Sequence, residues 1–139
     1  MTKVLFLHGA SDRLAAAARW LTEATVTRRT VLVYAPREET AERLDRLLWT
    51  QAATSFVAHA RADSPLAVES PIVITCDIGA LPHDQVLLNL GDEVPPNFAR
   101  FEELVEVVSG DDEVRLSARE RFKFYRERGY APESRDIGA

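Results

Sequence analysis

The first fifty residues alternate short apolar runs with amphipathic helical patterns, and this alternation constrains the fold more than any other feature of the chain. Lys3 to His8 and Thr30 to Ala35 are apolar runs typical of buried strands. The first run precedes a helical pattern over Asp12 to Ala24, and the second precedes one over Glu38 to Trp49. A strand, helix, strand, helix order predicts a parallel sheet with right-handed crossovers.

The rest of the chain continues this pattern. Further strands are predicted at Ile72 to Cys76, Gln85 to Leu90 and Leu104 to Ser109. A last helix is predicted over Asp111 to Gly129, because two aspartates stand at its start and a glycine follows its last turn. We therefore predict one domain, residues 1–139, with a three-layer α/β/α fold around a central, largely parallel sheet of about five strands. This fold is Rossmann-like without a nucleotide-binding motif.

Two polar stretches are predicted to lie outside the helices and the main strands. Ala60 to Pro71 contains two prolines and several small or charged residues, which favour a loop. The polar segment Ala131 to Ala139 is predicted to be either partly ordered on the body of the protein or frayed.

Composition and charge indicate a soluble, globular protein. Of 139 residues, 46% are hydrophobic and 28% are charged, and no apolar run approaches the roughly 18 residues of a membrane span. The first residues lack the basic flank and cleavage site of a secretory signal, so we expect the protein to remain in the cytoplasm. A net charge of −5 argues against strong direct binding to nucleic acid. The single cysteine, Cys76, excludes an intramolecular disulfide and is predicted to be a core thiol at a strand end.

Motifs for catalysis, cofactors and metals are missing from the sequence. Leu7 to Ser11 resembles the oxyanion loop of α/β hydrolases, but no G-x-S-x-G motif and no late histidine complete a triad. The same loop lacks both glycine-rich phosphate patterns, and Asp12 would repel a phosphate. His8, His59 and His83 lack metal-ligand spacing. We therefore expect no catalytic residue, no cofactor and no metal site. A small nucleotide-dependent or hydrolytic α/β enzyme is the alternative.

The last predicted helix carries cations around an aromatic ring. Its basic and aromatic residues recur at steps of three and four, which places Arg115, Arg119, Phe122, Lys123 and Arg126 on one face. Such a face could bind an acidic or carboxylate-ended partner. The alternative is a solvated basic face whose aromatic side chains, Phe122 among them, point to the core.

A second candidate surface follows the second predicted helix. If Leu44, Leu47 and Leu48 face the sheet, Trp49 is rotated away from it by about 100° and is either covered by the next segment or exposed. Phe56 lies in a short alternating piece that directs neighbouring residues to opposite sides. Taken alone, both aromatics are more often core residues, but exposed together they would be typical interface anchors.

Two stretches carry a resemblance to a known family. The run LSARERFKFYRERG, from Leu116 to Gly129, and the run LDRLLWTQAATSFVAHA, from Leu44 to Ala60, closely resemble the chi subunit of the bacterial DNA polymerase III clamp-loader assembly. The length of the chain and the order of the motifs fit the same family, and the resemblance is specific from Leu44 onward. It implies a non-catalytic adaptor in DNA replication with an α/β fold.

The resemblance also implies partners and site residues. Residues matching Trp49 and Phe56 belong to the surface that binds the psi subunit, with an expected 1:1 heterodimer, and a helicase is an implied alternative partner at that surface. Residues matching Arg119, Phe122 and Lys123 bind the acidic C-terminal tail of single-stranded-DNA-binding protein, which ends in a phenylalanine carboxylate. Phe122 stands where a tyrosine can occur in the family, so a hydroxyl contact would be lost while the ring wall is kept. Val57, His59, Gly129 and Tyr130 are implied only as neighbours or as looser matches.

Overall fold

The computed structural model describes residues 2–27, 29–50, 59–62, 64, 70–79 and 83–138. The helices are α1 (Arg13–Val26), α2 (Glu38–Thr50) and α3 (Asp112–Glu127). The strands are β1 (Lys3–Ala10), β2 (Val31–Tyr34), β3 (His59–Arg61), β4 (Ile72–Thr75), β5 (Val86–Asn89), β6 (Glu103–Ser109) and β7 (Glu133–Asp136). A short 3₁₀ turn, Phe98–Arg100, precedes β6.

The strands form one sheet in the order β3-β4-β2-β5-β6-β1-β7, and every pairing in it is parallel. The predicted α/β fold with a largely parallel sheet is therefore confirmed. The predicted count of about five strands is too low, because the described residues form a sheet of seven strands.

The two strands that the sequence did not reveal are the edge strands β3 and β7. β3 has only three residues, and its last two fall in the stretch Ala60 to Pro71 that was predicted to be a loop. All four residues of β7 are exposed, so this strand has no apolar pattern to show. It is held through its backbone, pairing with β1 from Leu5 to His8. An edge strand needs no buried face, and for that reason hydrophobic periodicity does not detect it.

The two faces of the sheet are covered by different elements, as the three-layer prediction requires. On one face, Leu21 of α1 and Leu44 of α2 are fully buried against inward side chains of the central strands. On the other face, Tyr125 of α3 and Phe101 after the 3₁₀ turn are packed with Leu104. Full burial of a large apolar side chain contributes about 1.5–3 kcal/mol, so both layers add substantially to stability.

The C-terminal end of α3 is closed by the predicted glycine. Gly129 has a φ of +90°, a left-handed conformation that favours glycine. Its amide donates to Arg126 O at 3.1 Å, and the amide of Tyr130 donates to Tyr125 O at 3.0 Å. This pair of bonds is a Schellman motif. At the other end Asp111 is the N-cap residue, but its side chain makes no capping hydrogen bond.

Candidate protein-binding surfaces

A groove of about 410 Å³ lies beside α3, at the carboxyl ends of β1 and β6. Four elements and one connection line it, with contributions from Phe6, His8, Gly9, Val108, Ser109, Gly110, Arg115, Ala118, Arg119, Phe122 and Ser134. β1 and β6 are neighbouring parallel strands, so their carboxyl ends lie side by side. α3 packs over them on one face of the sheet. The strand-end residues come from positions about 100 apart, so no local sequence signal could have grouped them.

Phe122 forms the aromatic wall of this groove. Its ring is partly buried and packs edge-on against the ring of Phe6, with a centroid separation of 5.1 Å. One side of the ring thus joins the core and the other side lines the groove. The tail-binding role that was assigned to Phe122 stays a prediction.

The cations of α3 divide into groove residues and rim residues. Arg115 and Arg119 are exposed and line the groove. Lys123 is also exposed, but the helical rotation of about 100° per residue places it on the crest of α3, and it is not among the lining residues. The groove therefore presents two guanidinium groups next to an apolar wall, with an ammonium group at its rim.

A buried polar cluster anchors the side of α3 that faces the sheet, and the sequence analysis did not predict it. Glu106 of β6 is fully buried. Its Oε2 accepts from Arg121 Nε at 3.1 Å and from the Tyr125 hydroxyl at 2.7 Å, and Asn89 Nδ2 donates to both carboxylate oxygens at 3.1 Å. A buried charge is costly unless it is paired in this way. A sequence signal for this cluster did exist, because Ala118, Arg121 and Tyr125 recur at helical spacing on one face of α3.

This cluster raises the pKa of the Tyr125 hydroxyl. Burial is the main cause, and the negative charge of Glu106 and the hydrogen bond to it add to the effect. The hydroxyl is therefore held protonated as a donor, which fixes the helix against the sheet and sets the position of the groove wall.

Trp49 marks a second surface at the other end of the sheet. It is the last residue but one of α2, and 58% of it is exposed. Its indole lies 4.9 Å from the ring of His59 of β3, measured between centroids. His59 Nε2 in turn lies 2.9 Å from Asp45 Oδ1. Of the two outcomes predicted for Trp49, the structure shows the exposed one. Phe56 and its neighbour Val57 lie outside the described residues.

Comparison with known proteins decides the family. The family model described as DNA polymerase III chi subunit, HolC, matches residues 1–133. The chain belongs to this family. The chi family consists of accessory subunits of DNA polymerase III, so its members act in the replication machinery.

Individual members of the chi family are similar to this chain over most of their length. The DNA polymerase III subunit chi of Pseudomonas aeruginosa is 31% identical over 122 residues, which cover 86% of this chain and 83% of the relative. The subunit of Escherichia coli strain K12 is 32% identical over 101 residues, covering 72% and 69%. That of Haemophilus influenzae is 29% identical over 110 residues, covering 78% and 76%.

The structure also shows how other potentially reactive side chains of this chi-family chain are placed. In the part of the chain that the structure describes, no group of three His, Cys, Asp or Glu residues is placed to hold a metal ion. Cys76 is half-buried just after β4 and donates to Glu38 Oε2 at 3.2 Å. Burial and this contact with Glu38 raise the pKa of the thiol, so it is held in its less reactive form. None of the described helices is long and apolar enough to cross a membrane.

Proposed function

We propose that this chain is a non-catalytic, single-domain adaptor of the cytoplasmic replication machinery with two protein-binding surfaces. The groove beside α3 binds the acidic C-terminal tail of single-stranded-DNA-binding protein. The surface around Trp49 binds the psi subunit in a 1:1 heterodimer, and a helicase is an alternative partner at that surface. The observation that carries the proposal is the combination, within one groove, of two guanidinium groups and an aromatic wall.

The chemistry of the groove matches a peptide that ends in phenylalanine. Guanidinium groups bind a carboxylate through charge-assisted hydrogen bonds, and Arg115 and Arg119 can supply them. The apolar wall of Phe6, Val108 and Phe122 can accept the terminal ring. The volume of about 410 Å³ is at the small end of ligand pockets, as expected for one large side chain and its carboxylate.

The acidic residues upstream in such a tail would meet the crest of α3. Lys123 lies there, outside the groove, where it attracts the tail through solvent and not through a buried contact. Exposed ion pairs contribute about 0.2–1 kcal/mol and weaken with salt. Lys123 therefore contributes less than Arg119 in this arrangement.

The Trp49 surface fits a protein partner for a different reason. An exposed tryptophan is among the side chains that most often anchor an interface. Trp49 is supported from below by the His59 ring, so its indole is partly ordered before any partner arrives. We extend the same role to Phe56, because the family resemblance pairs it with Trp49.

The test of the tail site is a fluorescence anisotropy titration with a labelled acidic peptide ending in phenylalanine. We expect Arg119→Ala and Phe122→Ala each to weaken binding about tenfold or more, the scale of one charge-assisted hydrogen bond or one buried ring. Lys123→Ala should have a smaller effect that disappears at high salt. Arg19→Ala, which removes an exposed arginine from α1 on the far side of the sheet, is the matched control. Wild-type affinity in both groove variants would overturn the proposal.

A further inference from the structure

His8 lies inside the groove although the sequence analysis gave it no role. It is in β1, two residues after Phe6, and side chains of a strand alternate between its faces. Phe6 packs against Phe122 of α3, so the imidazole of His8 is on the same face, towards α3. His8 is partly buried and is one of the lining residues of the groove.

The imidazole of His8 is free to accept a ligand. Among the described residues, nothing forms a hydrogen bond or an ion pair with its ring, whereas the rings of His59 and His83 contact Asp45 Oδ1 and Ser70 O. A partly buried imidazole without a partner leaves two ring nitrogens for a bound molecule. Such a group next to two arginines suits an anion.

Charged residues of both signs lie on the elements around His8. Arg115 and Arg119 of α3 line the same groove, and their positive charges favour a bound anion. Two carboxylates lie on the adjacent strands: Asp136, which is paired with His8 in the register of β7 and β1, and Glu106, which is paired with Phe6 in the register of β6 and β1 and accepts from Arg121. On α3, Asp111 is the N-cap residue. Asp136 Oδ1 already accepts the amide of Gly138 at 2.8 Å.

We infer that His8 is a further contact for the terminal carboxylate of the peptide and binds it as an imidazolium, a third cation beside Arg115 and Arg119. This inference rests on the proposed function of the groove. The terminal carboxylate of the peptide is an anion, and an anion in contact with an imidazole favours the imidazolium form. Binding is then linked to protonation, so it strengthens as the pH falls through the range of about 5 to 8 in which imidazoles change charge.

The experiment is isothermal titration calorimetry of the full chain with an N-acetylated acidic peptide ending in phenylalanine. Titrations at neutral pH in two buffers of different ionisation enthalpy measure the number of protons taken up on binding. A titration series from pH 8.0 to 5.5 measures the affinity. Side-chain carboxylates of the peptide titrate near pH 4, below this range.

For the wild type we expect net proton uptake and binding that strengthens about tenfold towards pH 5.5, the scale of one hydrogen bond between charged groups. His8→Gln should take up no proton and should bind with an affinity independent of pH. His83→Gln, which removes an imidazole outside the groove, should keep the wild-type proton uptake.

Two other outcomes have separate meanings. Wild-type binding without proton uptake, or uptake that persists in His8→Gln, overturns the role of His8 and leaves the proposed function standing. Failure of the wild type to bind the peptide at any pH overturns the proposed function, and the role of His8 falls with it.

Discussion

Individual side chains of α3 serve either the core or the groove, and their rotation around the helix decides which. Tyr125 and Arg121 point to the sheet and are buried. Arg115 and Arg119 point to the groove, and Phe122 lies between the two sets. The three- and four-residue spacing in the sequence predicted the cationic face. It did not identify Glu106 as the partner of Arg121, because that partner comes from a strand whose pairing with the helix is not encoded locally.

The Tyr125 hydroxyl should contribute to stability in a pH-dependent way. At neutral pH, Tyr125→Phe should destabilise the protein by about 1–3 kcal/mol, because the buried Glu106 loses a donor. Since the pKa of Tyr125 is raised in the folded state, the contribution is fully present below the unfolded value of about 10. Above pH 10 the unfolded chain loses the proton while the folded chain keeps it, so the contribution falls by about 1.4 kcal/mol per pH unit.

Urea unfolding of the wild type and Tyr125→Phe at pH 7 and at pH 11 measures this change. The stability gap between the two proteins should narrow at the higher pH. Tyr130→Phe, which removes a partly exposed hydroxyl at the end of the same helix, should show no such narrowing. A gap that stays constant across this range would contradict the assigned role of the Tyr125 hydroxyl.

At the scale of elements, the central strands and the helices follow from hydrophobic periodicity, whereas the edges of the sheet do not. β2, β4, β5 and the inner part of β6 are buried, and each was visible as an apolar run. β7 is exposed along its whole length and is held by backbone pairing with β1. β7 is ordered because its backbone approaches the backbone of β1 closely. A pattern of apolar residues does not reveal such a contact.

The close approach of β7 depends on Gly9. Gly9 has a φ of +85°, and a Cβ added there would collide with the Asp136 carboxylate and lie 3.2 Å from the amide of Gly138. Gly9→Ala should therefore loosen β7, with a cost of about 1–3 kcal/mol from backbone strain. Hydrogen exchange should show faster exchange of the Ile137 amide, which donates to His8 O at 2.8 Å.

Gly110→Ala is the matched control for this change. Gly110 also lines the groove, but a Cβ added there meets nothing within 4 Å. Exchange of the Ile137 amide should be unchanged in this variant. Equal exchange rates in both variants would show that Gly9 does not govern the docking of β7.

At the scale of the whole molecule, the two candidate surfaces lie towards opposite edges of the sheet. β3, beside Trp49, is one edge, and β6, β1 and β7, which contribute to the groove, are the last three strands at the other. Four to six strand spacings separate them, which is roughly 19–29 Å at about 4.8 Å per spacing. This separation leaves room for two partners at once, as the proposed adaptor role requires. The partners are proposed from the family resemblance, and the structure supplies this separation, which the sequence could not.

This separation predicts that each surface can be disabled alone. Trp49→Ala should weaken binding of a psi partner by about 2 kcal/mol or more, because an exposed tryptophan anchor is lost. The same variant should bind the acidic peptide with wild-type affinity. Arg119→Ala should weaken binding of the acidic peptide and should leave binding of the psi partner unchanged. Surface plasmon resonance with each partner measures both affinities. If Trp49→Ala lost binding to both partners while its thermal unfolding midpoint stayed unchanged, this would contradict two separate sites.

The contact between Arg119 and the terminal carboxylate of the peptide is the central claim, and a double-mutant cycle tests it most directly. Affinities are measured for the wild type and Arg119→Ala, each with the free-acid peptide and with its C-terminally amidated form. If the guanidinium binds the terminal carboxylate, amidation should weaken binding about tenfold or more in the wild type and less in Arg119→Ala, where Arg115 remains. Equal losses on amidation in the two proteins would show that Arg119 does not bind the carboxylate and would contradict the assigned site.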